Sequence, residues 1–482
     1  MMNQAYFIGI DIGTQGARVV LVDDQGRQLA AKEEVFPISN QSREEQDPLL
    51  WWASCRRSLR SLCREMEEQI DLSLVKAIGT TSTSGTIIPV DKNNVPLHPA
   101  IMYSDSRCKE EAAYCEATAV AAGTKGYTAF NASSGLPKML WFLANYPEKT
   151  AAIGRFIHAA DFITGQLSGN FEVTDYTNAL KSGYDLQTLS WPSYITTSLA
   201  LRSSWLQKVV PSGTPIGHLD EWLADELGLS PDVVITAGIT DGCASQMASG
   251  AVNLGDWNTT IGTTLVVKGV TKKEITDPSG ALYCHRHPEG YWMPGGASNT
   301  GADWVSRLFG DADLTALGES AATLIPGPHI AWPLMQQGER FPFVAPLAKG
   351  FAPDGLSQEE LFTAYMEGVA YIERYAYEKI RFLSGEKIAR IFSAGGGSNS
   401  DTWLTIRSSV MGVSVCKMQN VSGAAGAAVI SASKTYFNSV IDAAQAMVSP
   451  EKEFKPDQQM RVKYEENYHR FIGVLKTKAY LV

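Results

Sequence analysis

The chain has 482 residues, more than one ordinary domain holds, so two sizeable domains are expected. Hydrophobic residues make up 44% and charged residues 19%, a balance that excludes a disordered chain. The net charge of −10, with no block of like charges, argues against nucleic acid or an anionic membrane as the main partner, so any anionic ligand must be held by helix ends, glycine loops or a metal.

Met1, Met2, Asn3, Gln4 and Ala5 carry no basic segment ahead of an apolar stretch, so no signal peptide is expected. No apolar run approaches the ~20 residues that span a bilayer. The seven cysteines, Cys55, Cys63, Cys108, Cys115, Cys243, Cys284 and Cys416, are odd in number and lack zinc-like spacing. They read as reduced thiols in a cytoplasmic protein, with Cys243 a small buried hydrophobe.

The apolar run 5–10 predicts a buried strand that ends in Asp11. Gly13, Thr14, Gln15 and Gly16 follow, then a second apolar strand, which makes a hairpin. Gly13 and Gly16 lack Cβ atoms, so backbone N–H groups can approach a bound anion. Thr14 adds a hydroxyl, and Arg18 adds a planar donor fork that suits phosphate oxygens. A carboxylate beside such a loop makes sense if Mg2+ lies between Asp11 and the phosphate. An ordinary hairpin turn would use Asp and Gly in the same places.

A third strand is expected over 28–38. Asp47 then reads as an N-cap with Pro48 at the first helical position, and apolar residues at 49, 52, 55, 59, 62 and 66 predict a helix over 48–68. The strand over 75–81 should return parallel to a neighbour, giving a mixed five-stranded sheet with helices on both faces. The hydroxyl-rich stretch from Thr80 to Thr86, with Ser84 near its tip, suits a polyol, although plain turns have such composition too. The next strand and its turn follow over 87–93. Asp105 is an N-cap or a sugar-hydroxyl acceptor ahead of the next helix. Another helix starts at Ser134, and His158 reads as a satisfied histidine with no metal partners nearby.

From residue 233 the pattern restarts. A buried strand over 233–238 leads to Asp241 on a strand-to-helix turn. Two apolar strands then meet at Gly262, Thr263 and Thr264, the same device as the opening hairpin, which suggests a duplicated fold with a ligand between its halves. The region 267–300 reads as irregular sheet and loop. A strand at 391–394 runs into Gly395, Gly396, Gly397, Ser398, Asn399 and Ser400, and the amide-rich helix start suits another part of a nucleotide. Phosphorylating a hydroxyl needs a phosphate cradle, Mg2+ and a carboxylate to take the proton, and this sequence can supply each.

Taken together and in order, these segments resemble the FGGY carbohydrate kinases, relatives of actin, heat-shock chaperones and hexokinase. The resemblance runs through the stretch from Asp11 to Arg18, Pro137 to Trp141, Gly238 to Ala244, Thr259 to Thr264, Gly295 to Asn299 and Ala394 to Gly397. It implies an α/β protein of two actin-like (ribonuclease H-like) ATPase domains with ATP and sugar in a cleft between them. The sugar-binding domain would span 1–247 and the nucleotide-binding domain 248–482. The activity implied is a phosphotransfer to an alcohol group, with ATP and Mg2+ as cofactors, in the cytoplasm; a homodimer stays open. By resemblance Asp241 is the catalytic base. Asp11 lies at the Mg2+ and the accepting hydroxyl, and Ser84 and Asp105 contact sugar with them. Thr14, Gln15, Arg18, Gly262, Thr263 and Thr264 face the phosphates. Gly395, Gly396, Gly397, Asn399 and Ser400 face the adenosine.

Xylulokinases typically carry Gln-Met-His-Gly after the fourth strand, and glycerol kinases carry Gln-Arg-Glu-Thr. Here the stretch is Thr81-Ser-Thr-Ser84-Gly-Thr86, which departs from both. With Thr174 to Lys181 and Gly338 to Pro342, it is similar to a short subgroup of plant and cyanobacterial sugar kinases. In that subgroup D-ribulose is the better-supported substrate, so the resemblance implies phosphorylation of a ketopentose by this chain, D-ribulose first and D-xylulose second. Another ketose, polyol or glycerol, an actin-like ATPase that moves a protein, and a sugar binder without catalysis are the alternatives.

Overall fold

The computed structural model describes residues 4–37 and 39–481. Met1 to Asn3, read above for a leader, and Ile38, the expected end of the third strand, lie outside the described residues. The chain forms two compact units. The first holds the residues up to Ala248 together with His285–Gly290 and Ser422–Val448. The second holds Ser249–Cys284, Tyr291–Val421 and the residues from Ser449 onward. The chain thus re-enters the first unit twice after residue 248.

In the first unit, strand Tyr6–Ile12 pairs antiparallel with Gly16–Asp23 and parallel with Val75–Ser82. Gln28–Val35 continues the meander. The third strand stops there because the Phe36 N–H turns to the Gln15 carbonyl at 2.7 Å and Pro37 has no N–H to give. The sheet is wider than the five strands expected. Its order is Pro215–His218, Val234–Thr236, Val75–Ser82, Tyr6–Ile12, Gly16–Asp23, Gln28–Val35, and Ile239–Thr240 also pairs with Val75–Ser82. Strand Ile87–Asp91 instead joins a separate four-stranded sheet with Glu45–Gln46, Ala100–Ile101 and Ile153–His158.

Side-chain alternation gives the main sheet two faces. Ile8, Ile10, Val19 and Leu21 share one buried cluster with Trp51, Cys55, Leu59 and Leu62 of helix Pro48–Met66. The Asp47 carboxylate caps that helix, accepting from the Leu49 N–H at 2.9 Å. The opposite face carries Gly9 and Gly79, which sit side by side in register. A Cβ on Gly9 would stand 1.8 Å from the Ala424 carbonyl oxygen, and one on Gly79 2.3 Å from that of Ala427. These two glycines let helix Gly423–Ala432, a run of small residues, lie directly on the strands, and so the segment from Ser422 belongs to the first unit.

The second unit repeats the pattern. Asp256–Ile261 pairs antiparallel with Leu265–Gly269 and parallel with Arg390–Ala394, and Trp292–Ser298 extends the meander. The 27-residue helix Gln358–Ser384 makes the crossover. It is capped by the reciprocal Ser357–Glu360 box at its start and by left-handed Gly385 at its end. Its core gathers Trp257, Trp304, Trp332, Tyr371 and Trp403. Among the described residues no helix is long and apolar enough to cross a membrane. Cys243 is fully buried, as expected of a small buried hydrophobe.

Candidate active site

Asp11 is the next-to-last residue of its strand and stands in register between Arg18 on one neighbour and Thr81 on the other. Asp11 and Thr81 share the glycine face, the one that helix Gly423–Ala432 covers. Gly423, the first residue of that helix, lies against the Asp11 carboxylate. Burial, then the nearby charge of Asp241, raises the Asp11 pKa to about 6, while Arg18 pulls it down. A hard cation fits the Asp11 carboxylate, since its oxygens are the donors Mg2+ prefers. Mg2+ takes most of its remaining ligands from phosphates and water, so it needs no larger cage of protein side chains.

Asp241 follows the short strand Ile239–Thr240 and opens helix Asp241–Ala248, as the sequence predicts. It is exposed, and one of its oxygens accepts from the Gly242 N–H at 2.6 Å. Thr240 pairs in register with Ser82, so Asp241 emerges beside the end of the hydroxyl-rich strand. The hydroxyls of Thr80, Thr81, Ser82 and Ser84 are all buried and have no hydrogen-bond partner. Leaving such groups unpaired costs about 1–3 kcal/mol each, and Thr81, on the face of Asp11, is the one that stands next to that carboxylate.

Other expected residues fare differently. Thr14 is half-buried and Gln15 exposed in the loop. The loop is tied down through its backbone, the Gln46 side-chain amide donating to the Thr14 carbonyl at 3.0 Å. The Arg18 guanidinium reaches Glu33 at 2.7 Å. Gly16 answers to sheet packing, since a Cβ there would lie 2.4 Å from the Glu34 carbonyl oxygen. Asp105 is not a helix N-cap, because the helix begins later, at Lys109. Its buried carboxylate accepts from the Arg107 amide at 2.9 Å and from the Arg107 guanidinium at 2.7–3.0 Å. His158 is a satisfied core residue between Asp161 at 2.8 Å and Ser182 at 2.9 Å.

In the second unit, a cavity of 940 Å³ is lined by Gly262, Met366, Gly396, Asn399, Ser400 and Trp403, among others. That is the size and mixed lining of a small-molecule site. Gly395 and Gly397 are not in its wall. Gly395 adopts φ +81° with its Cβ position 2.5 Å from the Ile261 carbonyl oxygen, so its role is to make the turn. Thr263 is exposed and Thr264 half-buried beside Gly262. Behind the turn, the fully buried Arg407 pairs with Glu373 at 2.7 Å and donates to Ser393 at 2.5 Å, and Ser393 bonds Ser398 at 2.7 Å. Sequence reading did not single out this buried ion pair, nor Gly423.

A phosphate-type hairpin in each unit, a carboxylate at a strand-to-helix turn and a cavity beside a triple-glycine turn are the parts of a small-molecule kinase. The N-terminal domain of the FGGY family of carbohydrate kinases matches residues 6–248, and its C-terminal domain matches residues 257–434. The chain belongs to this family. It is 25% identical over 501 residues to the xylulose kinase of Staphylococcus epidermidis, covering 98% of this chain and 97% of that one. It is also 25% identical over 437 residues to the gluconokinase of Bacillus subtilis, covering 84% and 83%. The crystal structure of a "xyloylose kinase" from Brucella ovis shares the fold with a TM-score of 0.86 at 23% identity, over 99% of this chain and all of that one. The protein is an ATP-dependent sugar kinase, a phosphotransferase with an alcohol group as acceptor.

Proposed function

We propose that this kinase phosphorylates a ketopentose, with D-ribulose ahead of D-xylulose. The observation that carries the reading is the group of buried, unpartnered hydroxyls at the end of strand Val75–Ser82 and just beyond it: Thr81 stands next to Asp11 on the same face, Ser82 is in register with Thr240, the residue before Asp241, and Ser84 follows in the loop. A polyhydroxy ligand can both donate to and accept from such groups. The likeness of this stretch to short plant and cyanobacterial sugar kinases supports D-ribulose. The similarity to xylulose kinases supports D-xylulose as the second choice.

Asp241 is the base. Its carboxylate takes the proton of the accepting hydroxyl as that oxygen bonds to the γ-phosphorus of ATP, and the bond from that phosphorus to the departing ADP oxygen breaks. Asp11 and Ser84 orient the sugar, and Asp105 holds its loop through Arg107. Asp11 would hold Mg2+, which when bound offsets charge on the transferring group. The adenosine takes the cavity at Gly262, Gly396, Asn399 and Ser400. Thr14, Gln15, Arg18, Thr263 and Thr264 serve the phosphates, and Gly395 and Gly397 shape the turn.

The test is ADP release coupled to a reporter, with D-ribulose, D-xylulose, L-ribulose, gluconate, glycerol and no sugar. The highest kcat/KM is expected with D-ribulose. A higher value with gluconate or glycerol would overturn the ketopentose reading.

A further inference from the structure

Asp175 ends strand Val173–Asp175, one of a two-stranded parallel ribbon separate from the sheet that carries Asp11. Its carboxylate is fully buried. Five donors converge on it. One oxygen accepts from the Thr177 N–H at 2.8 Å, the Thr177 hydroxyl at 2.8 Å and the Ser212 hydroxyl at 2.5 Å. The other accepts from the Asn178 N–H at 3.2 Å and the Asn178 side-chain amide at 2.7 Å. The Thr177 hydroxyl has a single hydrogen, and Asp175 receives it. That fixes the hydroxyl's lone pairs, and one accepts the backbone N–H of Thr240 at 2.8 Å. Thr240 is the residue immediately before Asp241.

The strand needs this outside support. It runs as Val234–Thr236, breaks at Ala237 and Gly238, and resumes for only Ile239–Thr240 before the helix begins. A two-residue strand is weakly held by its ladder, and the side chain of Thr177 anchors its end from outside the sheet.

We propose that Thr177, oriented by the buried carboxylate of Asp175, is a positioning residue that sets the backbone from which Asp241 projects. The inference rests on the reading of Asp241 as the catalytic base. Neither residue touches the reacting atoms; they act through the Thr240 amide. Misplacement of a catalytic group by about 1 Å can cost roughly a hundredfold in rate, so a lost anchor here should be visible in kcat.

The experiment compares Thr177→Val, Thr177→Ser and Asp241→Asn in the full chain, with the preferred sugar and ATP. Thr177→Val keeps the shape but cannot accept from Thr240. It is expected to lower kcat by roughly 10- to 100-fold while KM for ATP stays within about twofold. Thr177→Ser keeps the oxygen and is expected to restore kcat to within about threefold. Amide exchange at Thr240 should accelerate in Thr177→Val and not in Thr177→Ser. If Thr177→Val does not fold, Thr177→Ala is read the same way. Equal kcat loss in the Val and Ser variants, or an unchanged kcat in Val, overturns the positioning role while a dead Asp241→Asn leaves the base assignment standing. A fully active Asp241→Asn overturns that assignment, and the positioning role with it.

Discussion

Gly423 stands so close to Asp11 that a Cβ on it would lie 2.5 Å from the carboxylate oxygen Oδ2. The clash is with a side-chain end, so the fold can absorb it by moving Asp11. Gly423→Ala should therefore leave thermal unfolding almost unchanged and lower kcat/KM by roughly 10- to 100-fold, since a displaced carboxylate no longer meets metal or sugar in the right geometry. Steady-state kinetics beside a melting curve separate the two effects. A fully active Gly423→Ala would mean that the position of Asp11 is not critical.

Asp11 carries a second prediction through its ionisation. Its folded pKa is about 6 against an ordinary value of 3.8, so the folded state favours the protonated form. Stability linked to this group is therefore greatest below pH 3.8 and falls as pH rises through 6. At pH 7 Asp11→Asn should stabilise the first unit by about 1–3 kcal/mol, the metal-free protein being the one measured. Activity should move the other way. A metal must displace the proton, so the Mg2+ concentration for half-maximal rate should rise about tenfold per pH unit below 6 in the wild type. A Mg2+ requirement that is flat from pH 5 to 7 would exclude Asp11 as its ligand.

Asp241 is tested by removal. Asp241→Ala should lose roughly 100- to 10,000-fold in kcat, the usual contribution of a general base, while nucleotide binding measured by calorimetry is retained. The cavity of the second unit does not include Asp241, so its loss should leave ATP affinity in place.

Much of this was legible before the structure. The Asp11 hairpin, the Asp47 cap, the helix opened by Asp241 and the repeat at Gly262 each rest on local signals: apolar alternation, a capping residue, a glycine turn. What sequence could not show was partnership over distance. Gly9 and Gly79 read as ordinary strand residues until helix Gly423–Ala432 is placed against them. The same holds for Gly423 beside Asp11 and for Thr177 holding the Thr240 amide, which lies 63 positions along the chain. Asp105 misled because Asp before a helix is a common cap, whereas here its carboxylate turns to the Arg107 guanidinium.

The pair of Glu373 and Arg407 lies at 0% exposure on both sides, behind the triple-glycine turn beside the cavity of the second unit. Glu373→Ala leaves a guanidinium buried without its counter-charge and should cost about 3–5 kcal/mol in denaturant unfolding of the second unit. Arg407 also donates to Ser393, which bonds Ser398, so KM for ATP should rise in the same variant. A loss below about 1 kcal/mol would mean that relaxation or water rescues the site.

The triple glycine offers the sharpest contrast, because its members answer to different constraints. Gly395 has φ +81° and no room for a Cβ against Ile261. Gly396 has open space around its Cβ position and lines the cavity. Gly395→Ala should therefore be a folding defect, lowering the unfolding midpoint and the yield of soluble protein. Gly396→Val should fold normally and instead fill part of the site, raising KM for ATP about tenfold or more while KM for the sugar stays unchanged. The comparison needs only melting curves and two Michaelis constants. Should Gly396→Val bind ATP as well as the wild type, the adenosine does not use this cavity, and the nucleotide would have to be sought elsewhere on the second unit.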